Sequence, residues 1–474
     1  MISNRFKPMA LILALFAIIN LLVACGNEAI TTITPATTTS TTLATTSAST
    51  TAATTPLQTS ATTATTAATT VVSTTPAIIA SKVATSAQPT PTIGNVYPSG
   101  PAPTAATPTG GLVSVQLQIP EQLRKRGFTV SHTLNLPAGF SASLYALLDE
   151  GVRFMTLSPD GVVFVSEMGS GQVVLLKDNN GVAERVSFAV GLDAPHGLAF
   201  HVSNGITYLY VAEMTRVVRF AYQPGQQRAD KKETIVTGIP GGGNHRTRTI
   251  VFGKDGKMYL SVGSSCNVCE ESDQRRGSVL QFNDDGTNGR IFSTGLRNGV
   301  GLVVNPFTGE LWETENGRDS LGDNIPPEEI NILTDGGHYG WPYCYSNGVW
   351  DGNFGKRDQA FCNTTIKPVL PMQAHSAPLG IDIYTGKQFP VDYMGDAFVG
   401  FHGSWNRNEK TGYKVVRLRV KDGRPVSYED FATGWLVNGQ AWGRPVMPMM
   451  AADGSLLLSD DMANAVYRIT YTRQ

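Results

Sequence analysis

Residues 244–263 read NHRTRTIVFGKDGKMYLSVG. A Gly-Lys-Asp-Gly turn sits inside alternating apolar and polar residues, which is the chemistry of an antiparallel hairpin. The same order of turn or polar loop, apolar strand, and small or acidic residues recurs five more times. The segments are LSPDGVVFVSE from Leu157, YLYVAE from Tyr208, NPFTGELWETENG from Asn305, GDAFVGFHGS from Gly395 and AADGSLLLSDD from Ala451. They lie about 45 to 60 residues apart with one gap of about 85, the interval at which propeller blades repeat. No long stretch has helical periodicity. The chain is therefore expected to be all-β, a six-bladed β-propeller over residues 111–474, closed so that few sheet edges stay exposed.

A seven-bladed ring is the alternative, because the long gap between Trp312 and Phe398 has room for another blade. Its sequence argues for a long loop instead: residues 337–365 are rich in Gly, Asn and aromatics and do not alternate. Long loops on a rigid scaffold commonly shape a site.

The N-terminal part has a different character. Arg5 and Lys7 precede an apolar run from Met9 to Ala24, interrupted only by Asn20 and closed by LVAC at Cys25. Residues 1–24 read as a signal peptide, and the last four residues resemble the bacterial lipobox, which implies a lipidated Cys25. Residues 25–110 are mostly Thr, Ala, Ser and Pro. They offer too few large apolar side chains to offset the entropy of ordering, so a disordered tether is expected. The protein is then an extracytoplasmic lipoprotein, held to a membrane by its anchor alone. With 37 basic and 38 acidic residues, composition gives no argument for nucleic acid. Besides Cys25, four cysteines remain; an exported chain favours disulfides, and local loops favour Cys266 with Cys269 and Cys344 with Cys362 over the two other pairings. Neither a zinc site nor a redox-active Cys-x-x-Cys has its usual surroundings here.

Polar groups gather where strands begin or end. His245, Arg246 and Arg248 introduce one strand, and they are costly to bury unless something polar or anionic meets them. Arg297 and Asn298 precede another; Gly317, Arg318, Asp319 and Asp323 follow the next; His402, Trp405 and Arg407 lie in FHGSWNR, and Arg444 in AWGRPV. Strand starts and their loops converge on one mouth of a propeller channel, so this spread of His and Arg points to an anionic ligand. His196 reads as a strand-entry hydrogen-bonding residue, Trp341 and Trp405 as packing, and Asp319 and Asp323 as turn formers.

The motifs HRTRTIVFGKDGKMYLSVGSSCNVCEE, GLRNGVGL, NGRDSLGDN, GGHYGWPYCY, FHGSWNR and WGRPV resemble, in order, those of the pyrroloquinoline quinone (PQQ)-dependent sugar dehydrogenases. The sorbosone and pyranose dehydrogenase branch is the most similar. The resemblance implies PQQ and Ca²⁺ as cofactors and oxidation of an aldose, a sorbosone-like aldehyde or another pyranose, with a quinone or cytochrome as electron acceptor. It implies His245 as the general base. Arg297, Asn298, His402, Arg407 and Arg444 would bind the three PQQ carboxylates, and the main-chain oxygens of Gly317 and Arg318 would hold calcium. Asn316-Gly317-Arg318 stands where soluble glucose dehydrogenase has Gln-Gly-Pro, and HGSWNR where it has Ser-Leu-Lys, which shifts the expected substrate away from glucose. A propeller lactonase or hydrolase, and a non-catalytic binding propeller, are the alternatives.

Overall fold

The structure, a computed structural model, describes residues 111–472. The signal peptide, the lipidation of Cys25 and the tether through residue 110 lie outside the described residues.

Six four-stranded antiparallel sheets form the blades. Their first strands, Val152–Leu157, Leu198–Ser203, Ile250–Phe252, Gly299–Val304, Pro378–Ile383 and Pro445–Met450, touch one another in sequence and the last touches the first, so the ring is closed at six. We number the blades 1 to 6 in that order. Close approach of these inner strands explains two glycines. A Cβ on Gly301 would lie 2.2 Å from the Leu379 oxygen of the next blade, and one on Gly380 would lie 2.7 Å from the Met447 Cα of the blade after. Side chains there would force the inner strands apart.

The repeated sequence segment is the second strand of each blade. Val163–Glu167, Met258–Val262, Leu311–Glu315, Ala397–Phe401 and Leu456–Asp460 are buried at every position, not at alternate ones. Each lies between two neighbouring blades, so both of its faces are covered. The acidic residue ending several of these strands has a repeated job. It accepts the backbone N–H of the loop that enters its own blade: Glu167 from Asp149 at 2.9 Å, Glu213 from Asp193 at 3.0 Å, Glu315 from Arg297 at 2.6 Å and Asp460 from Arg444 at 2.9 Å. These bonds satisfy buried donors and fix where each inner strand starts.

Blade 6 takes its outermost strand from the other end of the domain: Phe140–Leu147 pairs antiparallel with Ala465–Tyr471 and closes the ring. The chain before it forms a two-stranded ribbon, Leu112–Gln116 with Thr133–Pro137, whose Leu134 and Leu136 join a core cluster with Phe128, Phe431 and Trp435.

The long gap holds an insertion in blade 4, between its third strand Glu328–Leu333 and its fourth strand Leu370–Met372. No seventh blade is present among the described residues. The insertion contains the hairpin Cys344–Tyr345 with Val349–Trp350 and the short helix Gln359–Thr364, capped by the Asp358 carboxylate on the Phe361 N–H. The Cys344–Cys362 disulfide joins hairpin to helix, and Cys266–Cys269 forms the second one, as the local-loop argument expects.

Candidate active site at the channel mouth

Loops entering the inner strands of blades 3, 4 and 5, together with the loops after the second strands of blades 4 and 5, enclose a cavity of about 210 Å³. His245, Arg297, Asn298, Gly317, His375 and Trp405 are among its walls. His245 is fixed from behind. Its N–H donates to the Ser264 carbonyl at 3.3 Å, and its Nδ1 lies 2.8 Å from Ser264 Oγ. The Ser264 hydroxyl gives its own proton to the Cys266 carbonyl at 2.7 Å, so toward the imidazole it can only accept. Nδ1 therefore carries the hydrogen and Nε2 keeps its lone pair. Burial, with Arg297 next in weight and Arg248 and Arg276 behind it, holds the imidazole neutral by lowering its pKa to about 3.

The two arginines beside it have different fates. Arg248 is fully buried and donates to the carbonyls of His245, Thr247 and Pro240 at 3.0, 2.7 and 2.7 Å. It staples the loop that presents the histidine. Arg246 is exposed and lines a second, open recess of about 380 Å³, with Glu150, Arg153 and Asp461 on the other walls. His245 thus lines the cavity while the next residue, Arg246, lines the recess.

Arg297 is 5 % exposed and all its nitrogens are engaged by protein. Nε donates to the Asn267 carbonyl at 2.9 Å, Nη1 to the carbonyls of Asn316 and Gly317 at 3.1 and 2.9 Å, and Nη2 to Asn267 Oδ1 at 2.9 Å and Asp319 Oδ2 at 2.8 Å. The Cys266–Cys269 loop thus holds Asn267 against the arginine. Asp319 accepts a further bond from Asn406 at 2.8 Å, and His375 Nε2 is bonded to the Gly322 carbonyl at 2.8 Å. Glu328 ties two loops together, accepting the N–H of Gly317 at 2.7 Å and of Ala377 at 3.0 Å; burial raises its pKa to about 8. Ser320, His375 and Ala377 are held at φ of 70°, 62° and 53°. For residues with a Cβ this left-handed backbone is strained, and such strain concentrates at functional sites.

A family model described as TrAA12-like matches residues 134–470. The chain belongs to the TrAA12-like family. An uncharacterized protein of Borreliella burgdorferi is 31% identical over 73% of this chain and 92% of its own length. The pyrroloquinoline quinone-dependent pyranose dehydrogenase of Coprinopsis cinerea is 26% identical over 56% of this chain, a match that spans 42% of that enzyme. Among solved structures, the holo form of the PQQ domain of the Coprinopsis pyranose dehydrogenase aligns with a TM-score of 0.62 at 25% identity, covering 72% of this chain and 97% of that domain. An AA12 enzyme of Trichoderma reesei aligns with the same TM-score at 22% identity, over 71% of this chain and 96% of that one, and shows the fold.

In this TrAA12-like chain the expected site residues separate into those at the cavity and those behind it. His245, Arg297, Asn298 and Gly317 form its wall. His402 faces the recess side, where its Nε2 meets Asp461 Oδ1 at 2.8 Å while Arg153 holds the other carboxylate oxygen at 2.6 Å. Arg444 makes only two long bonds, to the carbonyls of His402 at 3.3 Å and Gly403 at 3.5 Å, which leaves N–H donors for an anion. Arg407 is not brought to the cavity. Its guanidinium is taken by the carbonyls of Asp323, Ala374 and Glu409. Arg318 is paired with Asp351 behind the wall. Asp319, read as a turn former, is the partner of Arg297, and Trp405, read as packing, stands 76% exposed at the rim. His196 is fully buried, and its N–H donates to the Ala212 carbonyl at 3.0 Å, in keeping with a strand-entry role. The Cys-x-x-Cys sulfurs are spent on each other, so thiolate ligation of zinc is closed to them.

Proposed function

We propose that the chain is a quinoprotein sugar dehydrogenase that oxidises an aldose, a sorbosone-like sugar aldehyde or another pyranose, with PQQ and calcium as cofactors. The observation that carries this reading is the placement of His245, hydrogen-bonded through Nδ1 to Ser264, beside Arg297 and Asn298 in one cavity, with Arg444 bonded to the Gly403 carbonyl of its wall. PQQ bears three carboxylates, and the donors of Arg444, Arg246 and Asn298 suit them. The Gly317 carbonyl accepts from Arg297, yet a carbonyl has two lone pairs, so calcium ligation through Gly317 and Arg318 fits the donor set. Bound PQQ with its calcium would supply the two-electron acceptor.

The protein's own part is proton removal and orientation. Nε2 of His245 takes the hydroxyl proton of the sugar, and Ser264 keeps the ring turned for that transfer. Burial, with Arg297, Arg248 and Arg276, holds the imidazole at low basicity, and an anion bound beside these arginines would offset their field. Trp405 offers an apolar ring face to a pyranose at the rim. Arg297 and Arg407 act one step back, by holding the loops on which the other groups stand.

Calorimetry on the purified full chain tests the cofactor assignment. PQQ is expected to bind only with calcium present, and the loaded protein to oxidise at least one sugar of an aldose and pyranose panel with an artificial acceptor. Tight PQQ binding in chelator, or no binding under either condition, rejects the assignment.

We further propose that the protein works outside the cytoplasm as a lipoprotein anchored through Cys25 and passes electrons to a quinone or cytochrome. The apolar run ending in LVAC supports this. Cys25→Ala is expected to leave the protein unacylated, as precursor or released from membranes. Mass spectrometry finding an unmodified N-terminal residue other than Cys25 on the native protein excludes the anchor.

A further inference from the structure

The two disulfides have different surroundings. Cys344 and Cys362 are 5 and 0 % exposed, and their bond spans 18 residues of the blade 4 insertion. Cys266 and Cys269 are only half-buried and three residues apart, in the loop that follows the second strand of blade 3. A ring that closes so little chain adds little to global stability. What it does hold is the wall of the candidate active site.

The Cys266 carbonyl is a member of the ring. It accepts the Ser264 hydroxyl at 2.7 Å, and this bond is what leaves Ser264 Oγ as an acceptor toward His245 Nδ1 at 2.8 Å. Asn267, next in the ring, is held from the cavity side: its carbonyl and its Oδ1 each accept from Arg297 at 2.9 Å, and Oδ1 also accepts the Asp319 N–H at 2.8 Å. Ser265, on the other side, is held from outside the ring. Its hydroxyl donates to Glu271 at 2.7 Å and its carbonyl accepts the Asn244 N–H at 2.9 Å. Between these two anchors the peptide that carries the Cys266 carbonyl can turn about ψ of Cys266 and φ of Asn267, the soft dihedrals of a backbone. The disulfide denies Cys266 that turn. Once the carbonyl turns away, the Ser264 hydroxyl is free to donate to Nδ1, the imidazole hydrogen moves to Nε2, and the Nε2 lone pair is lost.

We propose that the Cys266–Cys269 disulfide is a redox switch on His245: closed, it fixes the Nδ1–H tautomer through Ser264, and opened by a dithiol, it releases that tautomer and slows turnover. The effect on turnover rests on the base role proposed above for His245; the effect on the tautomer does not. Opening is a thiol–disulfide exchange in which the dithiol gives two electrons and two protons, both cysteine sulfurs become thiols, and the dithiol closes to its own disulfide. Exposure makes this bond the reachable one, while the buried Cys344–Cys362 bond is shielded. The anchors on Ser265 and Asn267 do not pass through the sulfurs, so the fold outlasts the opening.

The full chain, labelled with nitrogen-15 histidine and free of PQQ, is followed by NMR before and after a dithiol, with alkylation and mass spectrometry locating the opened bond. The His245 signals are those lost in His245→Gln. The oxidised protein is expected to show a single Nδ1–H form, the protein with Cys266–Cys269 open an Nε2–H form or a mixture, and reoxidation to restore the first. Cys266→Ser with Cys269→Ser should show the open behaviour without reductant, and Ser264→Ala should lose the tautomer preference with the disulfide closed. Circular dichroism checks that each protein is folded. In the loaded double variant kcat should fall by about tenfold or more with KM less affected, as for a base whose hydrogen sits on the wrong nitrogen. A wild-type protein in the Nε2–H form, or an Nδ1–H form that persists in Ser264→Ala or with Cys266–Cys269 open, overturns the proposal. A tautomer that switches as expected in a protein that oxidises no sugar supports the link from disulfide to histidine and rejects the catalytic reading alone.

Discussion

Replacing His245 with alanine is expected to slow sugar oxidation by about 10²- to 10⁴-fold, the usual worth of a positioned general base, and to leave PQQ affinity nearly unchanged. The geometry separates the two effects. His245 is held by Ser264 and by the loop that Arg248 staples, whereas the donors left for a carboxylate belong to Arg444, on the loop into blade 6, and to the exposed side chain of Arg246, which lines the recess and not the cavity. Deleting the imidazole removes the proton acceptor without unlocking the loop, because the Arg248 bonds run to main-chain oxygens that alanine keeps. The measurement is turnover at saturating PQQ and calcium, beside calorimetric affinity. Wild-type turnover in folded, loaded His245→Ala would make the histidine structural and end the proposed mechanism.

Arg297→Ala should act on the fold first. A guanidinium that is 5 % exposed and bonded to Asn267, Asn316, Gly317 and Asp319 holds three loops at once, and its loss strands Asp319 and several carbonyls. Breaking a buried charged pair by removing one partner costs about 3 to 5 kcal/mol, so a drop of that order in urea stability is expected. Excess PQQ should restore little activity. Arg444→Ala provides the contrast: with only two long bonds to protein, it should barely change stability and should weaken PQQ by about 1.5 to 3 kcal/mol, the worth of a charged hydrogen bond, with rate recovered by excess cofactor. If Arg297→Ala melts like wild type while losing PQQ reversibly, the arginine contacts the cofactor directly and the clamp is incidental.

The blade repeat was legible because each second strand follows turn chemistry, alternates apolar with polar residues and ends in small or acidic ones, and these are local properties. The strand Phe140–Leu147 could not be assigned to a blade, since its partner lies at the opposite end of the domain. The residue types of the site were legible, because His and Arg at strand entries have no apolar explanation. Their partners were not: nothing local says that Asp319 and Asn267 will occupy Arg297, or that Arg407 will turn onto the 323–325 loop. Arg246 was visible beside His245, yet its exposure, which makes it available to a ligand, appears only once Arg248 is seen to take the buried role.

The sealing strand of blade 6 also sets an order of events in folding. Phe140–Leu147 is made before any blade exists, and its partner Ala465–Tyr471 follows about 320 residues later. At translation rates of about 5 to 20 residues per second, the early strand waits on the order of 15 to 65 seconds, longer still if folding must follow export. An unpaired apolar strand invites pairing with other chains. The chain carries its own guard for one edge: Gln118 donates its N–H to the Ala142 carbonyl at 3.0 Å and accepts from the Leu144 N–H at 2.8 Å. That guard is synthesised just ahead of the strand it covers, so the nascent chain has a chaperoning segment in hand for the whole of the wait.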